Sequence, residues 1–217
     1  MNAVELHSGD YVERFKTSPT FRVARLVPRM NIGPDDAVLD LGCGTGMLLH
    51  YLNAFGSYDG VDFSADFIRI AKDTNPAPQK ANFHCEDIVS FCAARPASFD
   101  VATTLDFSEH VDDATFKQIY SAIRCALKPG GKLYLHTPNL AFFIERAKDV
   151  GIMRQFPEHI AVRTGDRNAA LIRDCGFENV QIEAVAHYNI LKYFHPLRHL
   201  PLVGRYFEAR LWITANR

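Results

Sequence analysis

A run of apolar residues leads directly into three glycines, and this junction constrains the fold more than any other part of the sequence. We predict a buried strand over 37–41, followed by Gly42, Gly44 and Gly46 and then by a helix over 47–54. Glycine reaches positive φ at little cost and lets a ligand approach the main chain closely. A helix N-terminus behind the glycines supplies unpaired N–H groups. The junction therefore predicts an α/β protein with a ligand site at the carboxyl edge of its sheet.

Short apolar runs and helical patterns alternate along the rest of the chain. Further strands are predicted at 58–61, 81–85, 99–104, 132–137, 179–185 and 208–215, and helices at 64–74, 112–127 and 166–174. Ser64 is expected to cap the first of these helices and Gly176 to end the last. Alternation at this spacing indicates βαβ units and a parallel sheet. No repeat or linker divides the chain, so we predict one domain over residues 1–217.

Two acidic residues near the glycines indicate what the ligand carries. Asp62 lies twenty residues after Gly42, at the end of the second predicted strand, where a carboxylate can accept hydrogen bonds from ribose hydroxyls. A dinucleotide site would need a glycine where Met47 stands, and Asp40 would repel a pyrophosphate. A carboxylate at Asp40 instead suits a ligand with an ammonium group. S-adenosylmethionine is a nucleoside that carries one.

Several motifs together resemble those of the class I S-adenosylmethionine-dependent methyltransferases. The resemblance covers about residues 36–139 and is closest to the small-molecule subset that includes ubiquinone-biosynthesis O-methyltransferases. The matching segments are 38–46 (VLDLGCGTG), 60–64 (GVDFS), 85–88 (CEDI), 99–101 (FDV) and 127–132 (LKPGGK). The resemblance implies a Rossmann-like seven-stranded sheet in the order 3-2-1-4-5-7-6, with strand 7 antiparallel and helices on both faces.

The resemblance also implies a set of cofactor contacts. Asp40 would hold the methionine amino group, directly or through water, and Asp62 would bind the ribose. The remaining positions are Gly42 and Gly44 behind the cofactor, Phe63 against the adenine, Asp87 and Ile88 at the base, and Leu105 beside the methionine. Tyr11 or Arg14, on a helical lid over about 1–30, would reach the methionine carboxylate, although a place on the helix surface is the simpler role for either. Segments of about 139–165 and 186–207 would cap the substrate side.

Histidines are the candidate catalytic residues. Methyl transfer from a sulfonium is one in-line displacement, so the protein supplies proximity, alignment and exclusion of water. A hydroxyl acceptor would also be helped by a base, usually a histidine. His159 lies in a segment that resembles a loop over the acceptor in quinone-type O-methyltransferases, and His110 follows the fourth strand. A local cap on the next helix is the alternative role for Glu109 and His110.

A divalent metal is a further alternative. In the ubiquinone-type subset an acid three residues before a Glu-His pair completes a metal site, and Asp106, Glu109 and His110 keep that spacing. Oxygen and imidazole ligands suit a hard or borderline ion. Ser108 stands where that pattern has leucine, so a metal is the less favoured interpretation.

The segment 187–207 is unusual in composition. It has no Asp or Glu, and it contains Lys192, Arg198 and Arg205 together with five aromatic residues. Such a segment is typical of a cap over an apolar acceptor pocket or of a patch that rests on an anionic membrane surface. An ordinary edge connection whose aromatics complete the core is the third interpretation.

The net charge and the cysteines bear on which partners the protein binds and in which compartment it works. Lys plus Arg number 24 against 25 for Asp plus Glu, which leaves a net charge of -1, unlike the basic surface of a duplex-binding domain. Five cysteines without a CxxC pair, behind an N-terminus unlike a leader, predict reduced thiols in a cytoplasmic protein.

We therefore predict an enzyme that methylates a small, hydrophobic or aromatic molecule, most simply on oxygen. A methyltransferase acting on protein or nucleic acid, and a non-catalytic module that binds S-adenosylmethionine, remain alternatives. A nucleotide-dependent oxidoreductase is disfavoured by Met47 and Asp40. The acceptor's identity and the oligomeric state stay open.

Overall fold

The computed structural model describes residues 21–217, and these contain a seven-stranded sheet. The strands are β1 (Ala37–Leu41), β2 (Ser57–Asp62), β3 (Ala81–Cys85), β4 (Phe99–Leu105), β5 (Leu127–Pro138), β6 (Glu178–Val185) and β7 (Arg210–Asn216). Their order is β3-β2-β1-β4-β5-β7-β6. Strand β7 runs antiparallel to β5 and β6, and the other neighbours are parallel. The predicted fold class is confirmed.

Helices fill the connections between the strands. Within residues 21–217 the α-helices are α1 (Phe21–Ala24), α2 (Ala65–Asp73), α3 (Ile88–Ala93), α4 (Asp113–Ala126), α5 (Phe143–Asp149) and α6 (Gly165–Asp174). The side chains of Ser64, Asp112 and Thr164 each accept a hydrogen bond from the backbone N–H three residues on, which fixes where α2, α4 and α6 begin. Gly176 has a φ of 85° and ends α6 as predicted. No helix in this part of the chain is both long and apolar enough to cross a bilayer.

Different helices cover the two faces of the sheet, because side chains alternate between the faces along a strand. Leu39 of β1 and Leu133 of β5 pack with α3, α4 and α6 in one buried cluster. Val38 and Tyr134, one residue along on the same strands, pack with α1 and α2 in the other. Packed side chains therefore cover both faces of the sheet, and the loops that follow the parallel strands lie along its carboxyl edge.

Two local predictions need correction. The helix predicted at 47–54 is a single 3-10 turn, Leu49–Tyr51, which no side chain caps and which follows Gly46 at a φ of 74°. The fifth strand begins at Leu127 rather than at 132, because Phe99 pairs with Leu127 before the register shifts. The connection after β6 is built of 3-10 turns, Ile190–His199 and Gly204–Phe207.

Part of the predicted N-terminal lid lies outside the described residues, including Tyr11 and Arg14. From residue 21 onward this segment forms α1 and a 3-10 turn, Val27–Arg29. Its residues Val23, Leu26 and Met30 are buried in the core. The five cysteines are all free thiols, and Cys85 and Cys125 are exposed.

Candidate active site

The glycine loop folds back on the end of β2. The backbone N–H groups of Gly42 and Cys43 donate to the carbonyl of Val61 at 2.9 and 3.2 Å. Gly42, Gly44 and Gly46 all have positive φ, at 67°, 52° and 74°. Three left-handed residues at every second position turn the chain sharply at the carboxyl edge, which only glycine does at low cost.

Space in front of the loop differs between its glycines. A Cβ on Gly42 would lie 2.6 Å from Cδ2 of Phe107, and one on Gly46 would lie 2.6 Å from Cζ of Phe83. A Cβ on Gly44 would meet no atom of residues 21–217 within 4 Å. Any side chain at Gly42 or Gly46 would clash with a phenylalanine ring, so packing requires glycine at both positions. Gly44 faces open space into which a ligand can come close to the main chain.

The carboxylate of Asp62 ties the loop to helix α2. Its Oδ2 accepts from the N–H of Gly44 at 3.0 Å, and its Oδ1 accepts from the N–H of Ser64 at 2.9 Å. The residue is 7% exposed. These two bonds hold the carboxylate between the glycine loop and the start of α2, at the end of β2.

Asp40 lies beneath the loop and is 3% exposed. Its two oxygens accept from the hydroxyls of Tyr58 and Thr103, both at 2.6 Å. Burial raises the pKa of Asp40 from 3.8 to about 6, and the two hydroxyls oppose that shift. The side chain is thus held in place from two neighbouring strands, and a nearby cation would favour its ionised form.

The other predicted cofactor residues lie along the same edge. Phe63, directly after Asp62, is 38% exposed. Asp87 caps α3, and its Oδ1 accepts from the N–H and hydroxyl of Ser90 at 2.9 and 3.0 Å. Ile88 is buried beside it, and Leu105 ends β4. Because β1 to β4 are parallel, their carboxyl ends lie along the same edge of the sheet, and these residues lie at that edge.

Asp106, the first residue of the alternative metal site with Glu109 and His110, lies among two guanidiniums and an imidazole. Its oxygens lie 3.0 Å from Nη1 of Arg22, 3.1 Å from Nη1 of Arg210 and 2.9 Å from Nδ1 of His136. Burial alone would raise the pKa of Asp106, but Arg210, Arg22 and His136 outweigh it and hold this pKa well below its usual range. Asp106 is the anion of a buried ion-pair cluster, in a left-handed conformation with a φ of 55°.

A different group of possible metal donors converges nearby. One donor atom each from Glu109, His110 and His159 lies within 4.8 Å of the others. The Oε2 of Glu109 accepts from the hydroxyl of Thr137 at 3.1 Å, and burial, followed by the charge of Asp106, raises the pKa of Glu109 to about 8. Two imidazoles and one carboxyl form a donor set that a borderline ion accepts.

The two candidate bases, His110 and His159, are neighbours. Their ring centroids are 5.2 Å apart and the rings are nearly perpendicular. Nδ1 of His110 lies 2.8 Å from the carbonyl of Glu158, which can only accept, so Nδ1 carries the proton and Nε2 is the basic nitrogen. Burial lowers the pKa of both histidines, that of His159 to about 4. Both rings are neutral at pH 7.

Sequence reasoning missed three arginines. Arg163 is 5% exposed and donates to the carbonyls of Ser108 and Val111, which fixes the 3-10 turn Ser108–His110. Arg22 and Arg210 pair with Asp106. One signal was available, since Arg210 opens the otherwise apolar segment RLWITA of the last strand.

Known proteins match this chain in sequence and in fold. A family model described as a methyltransferase domain matches residues 14–182. The chain is 38% identical over 104 residues to a ubiquinone biosynthesis O-methyltransferase of Idiomarina loihiensis, covering 47% of this chain and 42% of that protein. A namesake from Xanthomonas euvesicatoria pv. vesicatoria is 33% identical over 104 residues, 47% and 43% of the two chains. The chain thus spans less than half the length of these curated relatives.

Among solved structures, a SAM-dependent methyltransferase from Archaeoglobus fulgidus superposes with a TM-score of 0.73 at 19% identity. The match covers 95% of this chain and 98% of the other. At this level of identity the likeness concerns the fold, and it agrees with the strand order described above.

Proposed function

The chain belongs to the methyltransferase-domain family, and we propose that it transfers a methyl group from S-adenosylmethionine to a hydroxyl of a small, hydrophobic or aromatic acceptor. The observation that carries the proposal is the open space before Gly44, in a loop whose N–H is bonded to Asp62. A nucleoside seated there meets a close main chain and a carboxylate at the end of the neighbouring strand, as a ribose requires.

The residues along β1 to β3 fit the parts of this cofactor. We assign the carboxylate of Asp62 to the ribose hydroxyls and the ring of Phe63, which is 38% exposed, to the adenine. Oδ1 of Asp87 accepts both hydrogen bonds from Ser90, and we assign Oδ2 to the adenine amino group. Asp40 is bonded to two hydroxyls, so we assign it the methionine ammonium through water and through charge.

The acceptor is assigned to the carboxyl ends of β4 and β5, beside the cofactor's methyl group. His110 and His159 lie there as neutral imidazoles that can take a proton from a hydroxyl as its oxygen attacks. The sequence relatives bear the name of O-methyltransferases, which supports oxygen as the acceptor atom.

The two cap segments present an apolar surface that supports a lipid-like acceptor or membrane contact. Its exposed apolar side chains are Val150, Ile152, Met153, Phe156, Ile160, Ile190, Tyr193, Phe194, Leu197, Leu200, Leu202 and Val203. Phe143 of α5 joins the segments, its ring 6.1 Å from that of Phe194. We assign this apolar cap surface to an anionic bilayer, because 187–207 carries lysine and arginine but no acid.

Thermal-shift titration with S-adenosylmethionine, S-adenosylhomocysteine and NAD tests the cofactor assignment. A ligand at a hundred times its Kd adds about 2.7 kcal/mol, which is a rise of several degrees in Tm. We expect the two sulfur nucleosides to raise Tm and NAD to leave it unchanged. The same protein is then assayed on catechols and phenols with labelled methyl donor. Binding without turnover on any acceptor would favour a non-catalytic module, and a shift with NAD alone would overturn the proposal.

A further inference from the structure

Arg210 brings a buried guanidinium to the acceptor side of the proposed site. It is the first residue of β7 and pairs with Pro138 at the end of β5, so it lies at the same sheet edge as Asp106 and His136. It is 7% exposed. Because β7 is antiparallel to β5, its first residue, rather than its last, faces the substrate edge.

The charges around Arg210 do not balance. Two guanidiniums, those of Arg22 and Arg210, share the single carboxylate of Asp106, one on each oxygen. Glu109 and Glu145 also act on Arg210 through their charge, but Glu109 bonds to Thr137 and Glu145 pairs with Lys148. Among residues 21–217, Asp106 is therefore the one carboxylate within ion-pair distance of the two guanidiniums. A buried charge without a counter-ion is costly and calls for an anion.

The donors of Arg210 are also incompletely used. Its Nη1 donates to Asp106, whereas its Nε is buried and has no hydrogen-bond partner among the described residues. The Tyr188 ring, from the cap segment 186–207, lies 5.6 Å from Cζ of Arg22 and 5.4 Å from Cζ of Arg210. This contact fixes the position of both guanidiniums. An oriented, desolvated arginine with an unused N–H is suited to a carboxylate or phosphate.

We propose that Arg210, assisted by Arg22, binds an anionic oxygen group of the methyl acceptor, a carboxylate or a phosphate. This rests on the proposed function, and it refines the acceptor from hydrophobic to amphipathic, with an anionic group held at the start of β7. Arg210 positions the acceptor, and it takes no part in the bond changes at the methyl group.

The first experiment needs no variant. The full chain, saturated with S-adenosylhomocysteine, is titrated with benzoate and with phenyl phosphate, and separately with the neutral benzamide. Thermal shift measures binding, and the side-chain Nε–H signal of Arg210, assigned by its loss in Arg210→Lys, measures the contact. We expect at least one anion to bind about tenfold more tightly than benzamide and to shift that signal. If neither anion does either, the proposal is overturned.

Variants then show whether Arg210 binds the acceptor or the methionine carboxylate of the cofactor. Arg210→Gln should lose the preference for anions while its Kd for S-adenosylhomocysteine stays within about twofold of wild type, and Arg210→Lys should keep part of the preference. The control, Arg173→Gln, changes an exposed arginine of α6 and should keep it all. A Kd for S-adenosylhomocysteine weakened about tenfold or more, with the anion preference intact, would overturn the proposal in favour of the cofactor. Failure of the unaltered protein to bind S-adenosylhomocysteine would count against the proposed function.

Discussion

The backbone N–H of Gly44 donates to Oδ2 of Asp62 at 3.0 Å, and this bond joins two motifs that stand eighteen residues apart in sequence. The same carboxylate accepts from the N–H of Ser64, where helix α2 begins. The residue assigned to the ribose therefore also holds the loop assigned to the methionine end. Cofactor affinity and loop geometry should respond together when it changes.

Substitution of Asp62 should weaken cofactor binding, and alanine should weaken it more than asparagine. Asp62→Ala removes the acceptor for both N–H groups, and we expect the Kd for S-adenosylhomocysteine to rise more than about thirtyfold and the free energy of unfolding to fall by about 2–4 kcal/mol. Asp62→Asn keeps one acceptor oxygen and should lose about tenfold. Calorimetric titration and urea unfolding measure the two effects. Equal affinities for the three proteins would contradict the assignment.

Gly44 and Gly42 should differ when each is changed to alanine. Both have positive φ, which costs an alanine roughly 1–2 kcal/mol. The methyl group in Gly44→Ala meets no atom of the described part of the chain, so we expect a small loss of stability with at least about tenfold weaker binding of S-adenosylhomocysteine. Gly42→Ala clashes with Phe107 and should lower Tm further. A Gly44→Ala protein that binds normally would place the cofactor elsewhere.

The stability of the protein should depend on pH through Asp40. Its pKa is 3.8 in a model peptide and about 6 in the fold, so between these pH values the native state holds more protons than the unfolded chain. The free energy of unfolding contributed by this group is therefore highest at low pH and falls as pH rises from about 4 to 6, by about 3 kcal/mol in all.

Asp40→Asn lacks this titration and is nearly isosteric, so it isolates the effect. We expect the free energy of unfolding of the variant, minus that of wild type, to increase by about 2.4 kcal/mol between pH 4 and pH 7. Urea unfolding at five pH values measures it. Parallel profiles for the two proteins would show that Asp40 is ionised throughout this range.

His159→Gln should lower turnover without changing cofactor affinity. Loss of a general base costs about a hundredfold or more, whereas Gly44 and Asp62 lie at the other end of the site and are unaffected. We also expect EDTA to leave turnover and the Kd for S-adenosylhomocysteine unchanged, since displacement at a sulfonium needs no Lewis acid. Turnover that EDTA abolishes and a divalent ion restores would identify Glu109, His110 and His159 as a metal centre.

Local features of the site could be predicted from sequence, and features that depend on strand order could not. The glycine loop, Asp62 and the Ser64 cap lie within one short stretch of chain, from the end of β1 to the start of α2, so their spacing in sequence indicates where they meet. Asp106 has the spacing of a metal ligand, but its partner Arg210 is 104 residues away and reaches it only because β7 inserts antiparallel beside β5. The contact of His110 with His159 likewise depends on how the cap segment folds back, which no periodicity encodes.

The apolar cap surface should bind anionic vesicles. Leu202 is 96% exposed and Ile190 is 74% exposed, so changing both to serine removes apolar area that the fold does not use. Burying such a side chain in a bilayer contributes at most about 1.5–3 kcal/mol, so we expect the double variant to partition onto phosphatidylglycerol vesicles at least about tenfold more weakly. Co-sedimentation measures the partitioning, and an unchanged Tm shows that the fold is intact.

Phosphatidylcholine vesicles are the control for charge, because Lys192 and Arg205 should draw the protein to the anionic surface only. Equal binding of the variant and wild type to anionic vesicles would contradict membrane contact by this surface and leave an acceptor cap as its role.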